Sequence, residues 1–302
     1  MAPAGYKTFV AGAILTAAEV NTYLMQQTVN VFADSTARDA AITSPSEGQV
    51  CYDLSTNFIQ IYDGSAWVDI LSSAGAATTN RVELVKFTAT GVFSKASYPW
   101  ASYAEITVVG GGGAGGGAEN NGLAANDYAA GAGGGGGGTA IVYTTLASLA
   151  AAETVTVGAG GSGNINTDGT DGAQSSFGTI AVATGGTGGQ AGPVDTVSRG
   201  QGATGGLGGI GTTGDLLMEG TRGGHSWISS GETGFSGGGG LSSFGGNMSS
   251  LVTPESGDLS GTGADGAVPG AGGAGGMDSN IISGTGFAGG DGADGIVVVK
   301  LT

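Results

Sequence analysis

The chain has 302 residues, 67 of them glycine, and a formal charge of −16 from 24 acidic against eight basic side chains. Such an acidic surface argues against nucleic acid and anionic membranes as partners, and no apolar stretch reaches the ~20 residues that a membrane-spanning helix needs. Cys51 is the one cysteine and His225 the one histidine, which excludes an intrachain disulfide and a zinc site built within one chain.

Residues 1–12 read as extended. Lys7 precedes the apolar run Phe9–Ala18, but Gly12 and Thr16 break that run, so it is not expected to be a cleaved leader. Thr16-Ala17-Ala18-Glu19 has the pattern of a capping box, in which hydroxyl and carboxylate satisfy free amides reciprocally. A helix is predicted from about Ala17 to Phe32, with Val20, Leu24 and Val31 on one stripe and Met25, Val29 and Phe32 on another. Asp34 and Ser35 are placed to cap a second short helix ending at Ala41. Turns at Ser44–Gly48 and Asp63-Gly64 frame predicted strands Gln49–Leu54, Phe58–Tyr62 and Ala66–Leu71. Cys51 is expected to be a small buried hydrophobe in the first of these.

Residues 73–80 have a linker composition. Strands resume at Val82–Thr88 and Ala104–Val109, and then the composition changes. Six glycines precede residue 110 and none follows 295, so 61 of the 67 fall within 110–295. They are phased by three over local runs: Gly202, Gly205, Gly208, Gly211 and Gly214; then Gly270, Gly273 and Gly276; then Gly286, Gly289, Gly292 and Gly295. The phase breaks between runs, which excludes one long collagen helix. A three-residue period fits an extended helix of three residues per turn, which makes no internal hydrogen bonds and must bond to its neighbours. The predicted fold is therefore mainly β and irregular: a short N-terminal helix, a small hairpin collar, and a glycine-rich domain of packed polyglycine II-type helices with flanking strands. Strand-like islands Ala140–Thr144, Thr154–Val157 and Thr179–Ala183 interrupt the glycine region, and Ile296–Leu301 is expected to pair with Ala104–Val109.

Segments of ordinary composition punctuate the glycine region: 119–130, 193–199, 215–235, 247–258 and 277–283. A glycine lattice offers little chemistry of its own, so specificity is expected from their side chains. Tyr128, Arg222, His225, Trp227, Phe235 and Met248 are the candidate receptor contacts, and Val20, Leu24, Val31 and Phe32 the candidate anchoring residues. Asp168, Asp171, Asp265, Asp291 and Asp294 lack the phase of calcium-binding repeats and read as solvated turn residues. No glycine run is followed by Lys and a helix, so no phosphate-binding loop is expected. His225 lacks a nucleophile elbow. No catalysis, metal or cofactor is expected; paired carboxylates acting on glycans are the enzymatic alternative.

Four stretches are similar to phage structural proteins. Gln49-Val50-Cys51-Tyr52-Asp53 with Ile61-Tyr62-Asp63-Gly64-Ser65-Ala66-Trp67-Val68 resembles a hairpin repeated in tailed-bacteriophage fibre and tail proteins, and Thr8–Leu24 resembles the N-termini of phage minor structural proteins. Phe87-Thr88, Gly91-Val92-Phe93 and Tyr103–Gly113 together resemble the beginning, and Gly289–Val299 the end, of glycine-rich phage fibre domains. The resemblance implies a homotrimeric virion fibre made in the host cytoplasm. Residues 1–33 would attach to other virion proteins, 34–72 would form a collar, and 81–302 would meet a glycan or protein of the host surface. A purely structural capsid or tail decoration is the alternative reading.

Overall fold

A computed structural model describes residues 11–23, 28–72, 81–118, 129–193, 202–229, 233–246, 249–250, 260–278 and 286–302. The chain forms two compact units, Met1–Arg81 and Val82–Thr302.

In the first unit the capping box is formed: Glu19 N donates to Thr16 Oγ1 at 3.2 Å and Thr16 N to Glu19 Oε2 at 2.9 Å. It opens α1 (Ala17–Tyr23). The predicted helix does not continue to Phe32. Residues 24–27 lie outside the described residues, and Asn30–Phe32 is a strand, β1. Val29 and Val31 lose side-chain freedom in a helix, and β1 gains a parallel ladder by pairing Asn30, Val31 and Phe32 with Cys51, Tyr52 and Asp53. Next come α2 (Ser35–Ala41), β2 (Val50–Asp53), β3 (Phe58–Tyr62) and β4 (Trp67–Ser72). The sheet order is β1-β2-β3-β4. Asp34 caps α2 by accepting from Ala37 N at 2.8 Å.

A buried polar chain fastens α2 to the sheet. Arg38 donates to Gln60 Oε1, Gln60 donates to Asp69 Oδ1 at 2.8 Å, and the Arg38 guanidinium lies 4.9 Å from the Trp67 ring centre. Cys51 is fully buried beside Gln60, and burial pushes its thiol pKa up. Asp53 and Asp63 close the two turns. The Ser55 hydroxyl, then the amides of Ser55 and Thr56, hold Asp53 below its usual pKa. The amide of Ala66, then the amide and hydroxyl of Ser65, do the same for Asp63.

The second unit contains β5 (Glu83–Phe87), β6 (Gly91–Ser94), β7 (Tyr103–Val109), β8 (Ala129–Ala130), β9 (Thr139–Thr145), β10 (Ala152–Thr156), β11 (Ser175–Phe177), β12 (Ala181–Ala183), β13 (Gly211–Thr213), β14 (Leu216–Met218), β15 (Trp227–Ser229), β16 (Thr233–Phe235), β17 (Met277–Asp278) and β18 (Ile296–Leu301). Two five-stranded sheets, β14-β9-β7-β18-β5 and β13-β12-β11-β10-β6, share one core. Ile106, Val108, Val142, Val299 and Leu301 from one sheet meet Phe93, Val155, Phe177, Ala181 and Ala183 from the other. As the sequence predicts, β18 pairs with β7, Ile296 opposite Val109, and it pairs with β5 on its other side.

Glycine runs extend these strands. Run 110–118 continues β7, 158–163 follows β10, 184–192 continues β12, and 220–226 follows β14. Runs 131–138, 167–173, 202–209 and 287–295 lead into β9, β11, β13 and β18. Within 110–118 every amide donates to a neighbouring run, and the partner repeats every third residue. Residues 110, 113 and 116 donate to 138, 135 and 132; residues 111, 114 and 117 to 173, 170 and 167; residues 112, 115 and 118 to 293, 290 and 287. Its carbonyls accept from 161, from 186, 189 and 192, and from 273 and 276. The run therefore has six neighbours. Run 131–138 repeats the pattern, donating from all eight residues to 270–276, 184–190 and 221–224 while accepting from 110–116, 206–209 and 237–240. This is lateral packing of polyglycine II-type helices, with every interior amide of these two runs satisfied by another run.

Glycine is required because adjacent backbones touch. A Cβ on Gly115 would lie 1.9 Å from the Ala274 carbonyl oxygen, and one on Gly134 would lie 2.2 Å from that of Gly113. Where the lattice ends, side-chain oxygens take the place of missing carbonyls. Asp168 and Asp171 accept from Ala191 N and Gly188 N at 2.7 and 2.8 Å, and Asp291 and Asp294 accept from Gly163 N and Gly160 N at 2.7 and 2.8 Å. Asp265 accepts from Asp291 N at 2.8 Å. These five acids are thus not turn residues facing only solvent: they stitch edge runs together. Thr184, Thr187 and Gln190 serve likewise for the amides of 210, 207 and 204.

Candidate functional site

The lattice sorts the connecting segments between its two ends. At the sandwich end, Ser242 and Gly245 exchange backbone hydrogen bonds in a tight turn, with Gly245 at φ +96°. Thr139 Oγ1 at the start of β9 reaches Ser243 Oγ at 2.8 Å, and Ser242 Oγ reaches the Pro269 carbonyl at 2.6 Å. At the opposite end, Ala118 bridges to Gly192 and Phe287, β8 pairs with β17, and Gly261 bridges to Met277. Ala118, Ala129, Gly192, Asp278 and Phe287 therefore lie together at this distal end.

A hairpin of β15 and β16 sits there, at the end of run 220–226. Its register places Trp227 opposite Phe235 and Ile228 opposite Gly234. Alternation along a strand sends neighbouring side chains to opposite faces. Ile228 is buried against Ala130 and Met277, so it closes the end of the lattice. Trp227 and Phe235 face away, 43% and 42% exposed, with ring centres 6.5 Å apart and a 34° tilt. Ser226 fixes the root of the hairpin: its hydroxyl accepts from Ala203 N at 2.9 Å and donates to the Ala130 carbonyl.

Of the sequence candidates, Trp227 and Phe235 are brought together as a cross-strand pair. Arg222 and His225 stand three residues apart on the exposed side of run 220–226. Arg222 is tied down, donating from Nε to the Gly205 carbonyl at 3.0 Å. Segment 215–235 is not one loop, since it contains β14, a lattice run and the hairpin. Met277, assigned to a loop by sequence, is fully buried in β17. Tyr128 and Met248 lie outside the described residues, as does Leu24. Val20 is half-buried in α1, Val31 is exposed, and Phe32 is half-buried in β1. Sequence reasoning missed Ile228 and Ser226, which the structure buries on either side of exposed Trp227 and which no residue pattern singled out.

Among the described residues no group of three or more His, Cys, Asp or Glu is arranged to hold a metal ion, and no helix is long and apolar enough to cross a membrane. The chain matches the glycine-rich domain family over residues 88–302, well over half its length, and belongs to that family. Comparison with curated proteins gives no match.

Proposed function

We propose that this member of the glycine-rich domain family is a tailed-phage virion fibre that attaches to the host cell surface through the distal end of its lattice. The observation that carries this reading is the Trp227–Phe235 pair, held outward while Ile228 packs on Ala130 and Met277 beneath it. A core-forming hairpin would turn its largest rings inward. Exposed rings with one apolar face and a polar rim are favoured at recognition sites. A scaffold bonded on all sides keeps the ordering cost low at contact. In this reading the fibre is a homotrimer, residues 1–33 join it to other virion proteins, and the ligand is a glycan or protein of the outer surface. Several fibres per virion then multiply weak contacts into avidity. No reaction is part of this role.

The test is binding of the fluorescent full chain to a panel of bacterial cells, with Trp227→Ala/Phe235→Ala beside it. Saturable binding that falls by about tenfold or more in the double variant is expected, with the melting curve unchanged. Equal binding by both proteins would move the contact away from the hairpin. An intact chain that binds no cell would favour a decoration role.

A further inference from the structure

A pocket of about 370 Å³ opens on the outward side of the β14-β9-β7-β18-β5 sheet. Tyr103, Glu105, Tyr143, Thr145, Lys300 and Thr302 line it. It lies at the starts of β7 and the ends of β9 and β18, remote along the strands from the lattice that begins at residue 110.

Register fixes the arrangement. Tyr103 is opposite Thr145, and Glu105 is opposite Tyr143 on one side and Lys300 on the other. The two tyrosines are therefore diagonal neighbours on one face, about 7–8 Å apart at the backbone. They are 61% and 59% exposed. The core beneath is already filled by Ala104, Ile106, Val142, Val299 and Leu301, so these rings serve no packing purpose inside. Beside them, on the β18 side, Lys300 Nζ donates to Glu105 Oε2 at 3.2 Å. These two side chains carry opposite charges and neutralise each other as an ion pair.

The part of the floor formed by β7 and β18 offers no backbone group for recognition. β7 lies between β9 and β18, and β18 between β7 and β5, so both have ladder partners on either side. An added peptide strand, which needs an open sheet edge, is excluded over β7 and β18; on β9 the ladder with β14 stops at Ile141, and the Asp215 carboxylate accepts from the Tyr143 amide beyond it. What remains is two ring faces, a carboxylate, an ammonium and hydroxyls. The volume falls in the range of small-molecule sites, where apolar walls carry a few converging polar groups. A pyranose ring presents that complement: one C–H face for an aromatic ring and equatorial hydroxyls that donate to a carboxylate and accept from an ammonium.

We propose that this pocket is a binding site for a neutral saccharide, separate from the distal hairpin, with Tyr103 and Tyr143 as stacking platforms and Glu105 and Lys300 as the hydroxyl-binding pair. Two sites at different heights on one fibre would let the side of the protein hold a surface glycan while the tip engages its own target.

The test applies the full chain to an array of neutral tri- and tetrasaccharides built from glucose, galactose, mannose and N-acetylglucosamine, followed by titration calorimetry on any that bind. At least one is expected to bind. Its affinity should fall about tenfold or more in Tyr143→Ala and in Tyr103→Ala, survive in Tyr143→Trp, and be unchanged in Val92→Ala on the other sheet. Melting curves and sedimentation identify variants that misfold or change assembly. Failure of every saccharide to bind at millimolar concentration would overturn the proposal. So would binding that survives in both alanine variants, or a pocket variant whose sedimentation shows that the same face joins two copies of the chain.

Discussion

The sandwich and the lattice are parts of one unit, yet they are held together by opposite means. In the sandwich, side chains do the work: Phe93, Phe177 and the valines of β7 and β18 exclude water between two sheets. In the lattice, side chains must be absent at most positions: 110–118 and 131–138 bond through backbone alone, Ala114, Ala118 and Ala132 fit with their single methyls, and a Cβ at the glycines between them would strike neighbouring backbone. Apolar burial is non-directional and tolerates repacking. A lattice of touching backbones has no slack, and so it is rigid but intolerant. The same strands run from one regime to the other, which anchors the glycine runs without giving them a core of their own.

The largest expected effect follows from that intolerance. Gly115→Ala puts a methyl 1.9 Å from the Ala274 oxygen, among backbone atoms that have nowhere to move. The entropy that alanine removes from the unfolded chain, about 0.4–1 kcal/mol, is too small to compensate. The second unit should fail to fold, seen as loss of soluble protein and of its cooperative melting transition. Phe177→Ala in the sandwich leaves a cavity where the ring met Phe93 at 5.5 Å. It should cost about 3–5 kcal/mol yet leave a recognisable transition at lower temperature. If the lattice substitution proved the milder of the two, the contrast between the regions would be lost.

At the lattice edge the effects should be smaller. Asp168→Ala and Asp171→Ala each remove one acceptor from an amide of run 184–192. Because water reaches these exposed sites, the loss should be about 0.5–1.5 kcal/mol per acid. Asparagine, which keeps an acceptor oxygen, should recover most of it in chemical denaturation.

The smallest effect belongs to the first unit and to its response to acid. Asp53 and Asp63 have pKa values depressed in the folded state by the turn amides and hydroxyls they accept from. Their stabilisation is fully present above the unfolded carboxylate pKa of about 3.9 and is lost as pH falls through the lower folded values. Carboxyl carbon NMR should show both titrating below an ordinary aspartate. Asp53→Asn and Asp63→Asn should lower stability near neutral pH and flatten the acid limb of the stability curve.

The same contrast explains what could be read from the sequence. The period of three in the glycine runs foretold the lattice, because a repeat that matches a backbone helix needs no tertiary information. The pairing of Ile296–Leu301 with Tyr103–Val109 was legible for a similar reason: both are long apolar runs that bracket the glycine region. Asp168 and Asp171, and Asp291 and Asp294, carry the same three-residue spacing, yet their role was hidden. Only the lattice reveals that a neighbouring amide lies where each carboxylate points. Val31 and Phe32 fit a helical stripe by spacing, but parallel pairing with β2, a long-range contact, decided their conformation. At the tip, the aromatic candidates were visible as residue types in a glycine background. Their meeting as Trp227 opposite Phe235, and the inward turn of Ile228, depended on hairpin register that composition does not encode.

Amide hydrogen exchange across the second unit reaches the core of this picture. If the lattice is bonded through every interior amide, residues 110–118 and 131–138 should exchange as slowly as β7 and β18, in one cooperative unit with the sandwich. Exchange of those glycine amides within minutes, while β7 and β18 stayed protected, would contradict a laterally bonded lattice and leave the distal hairpin without a rigid base.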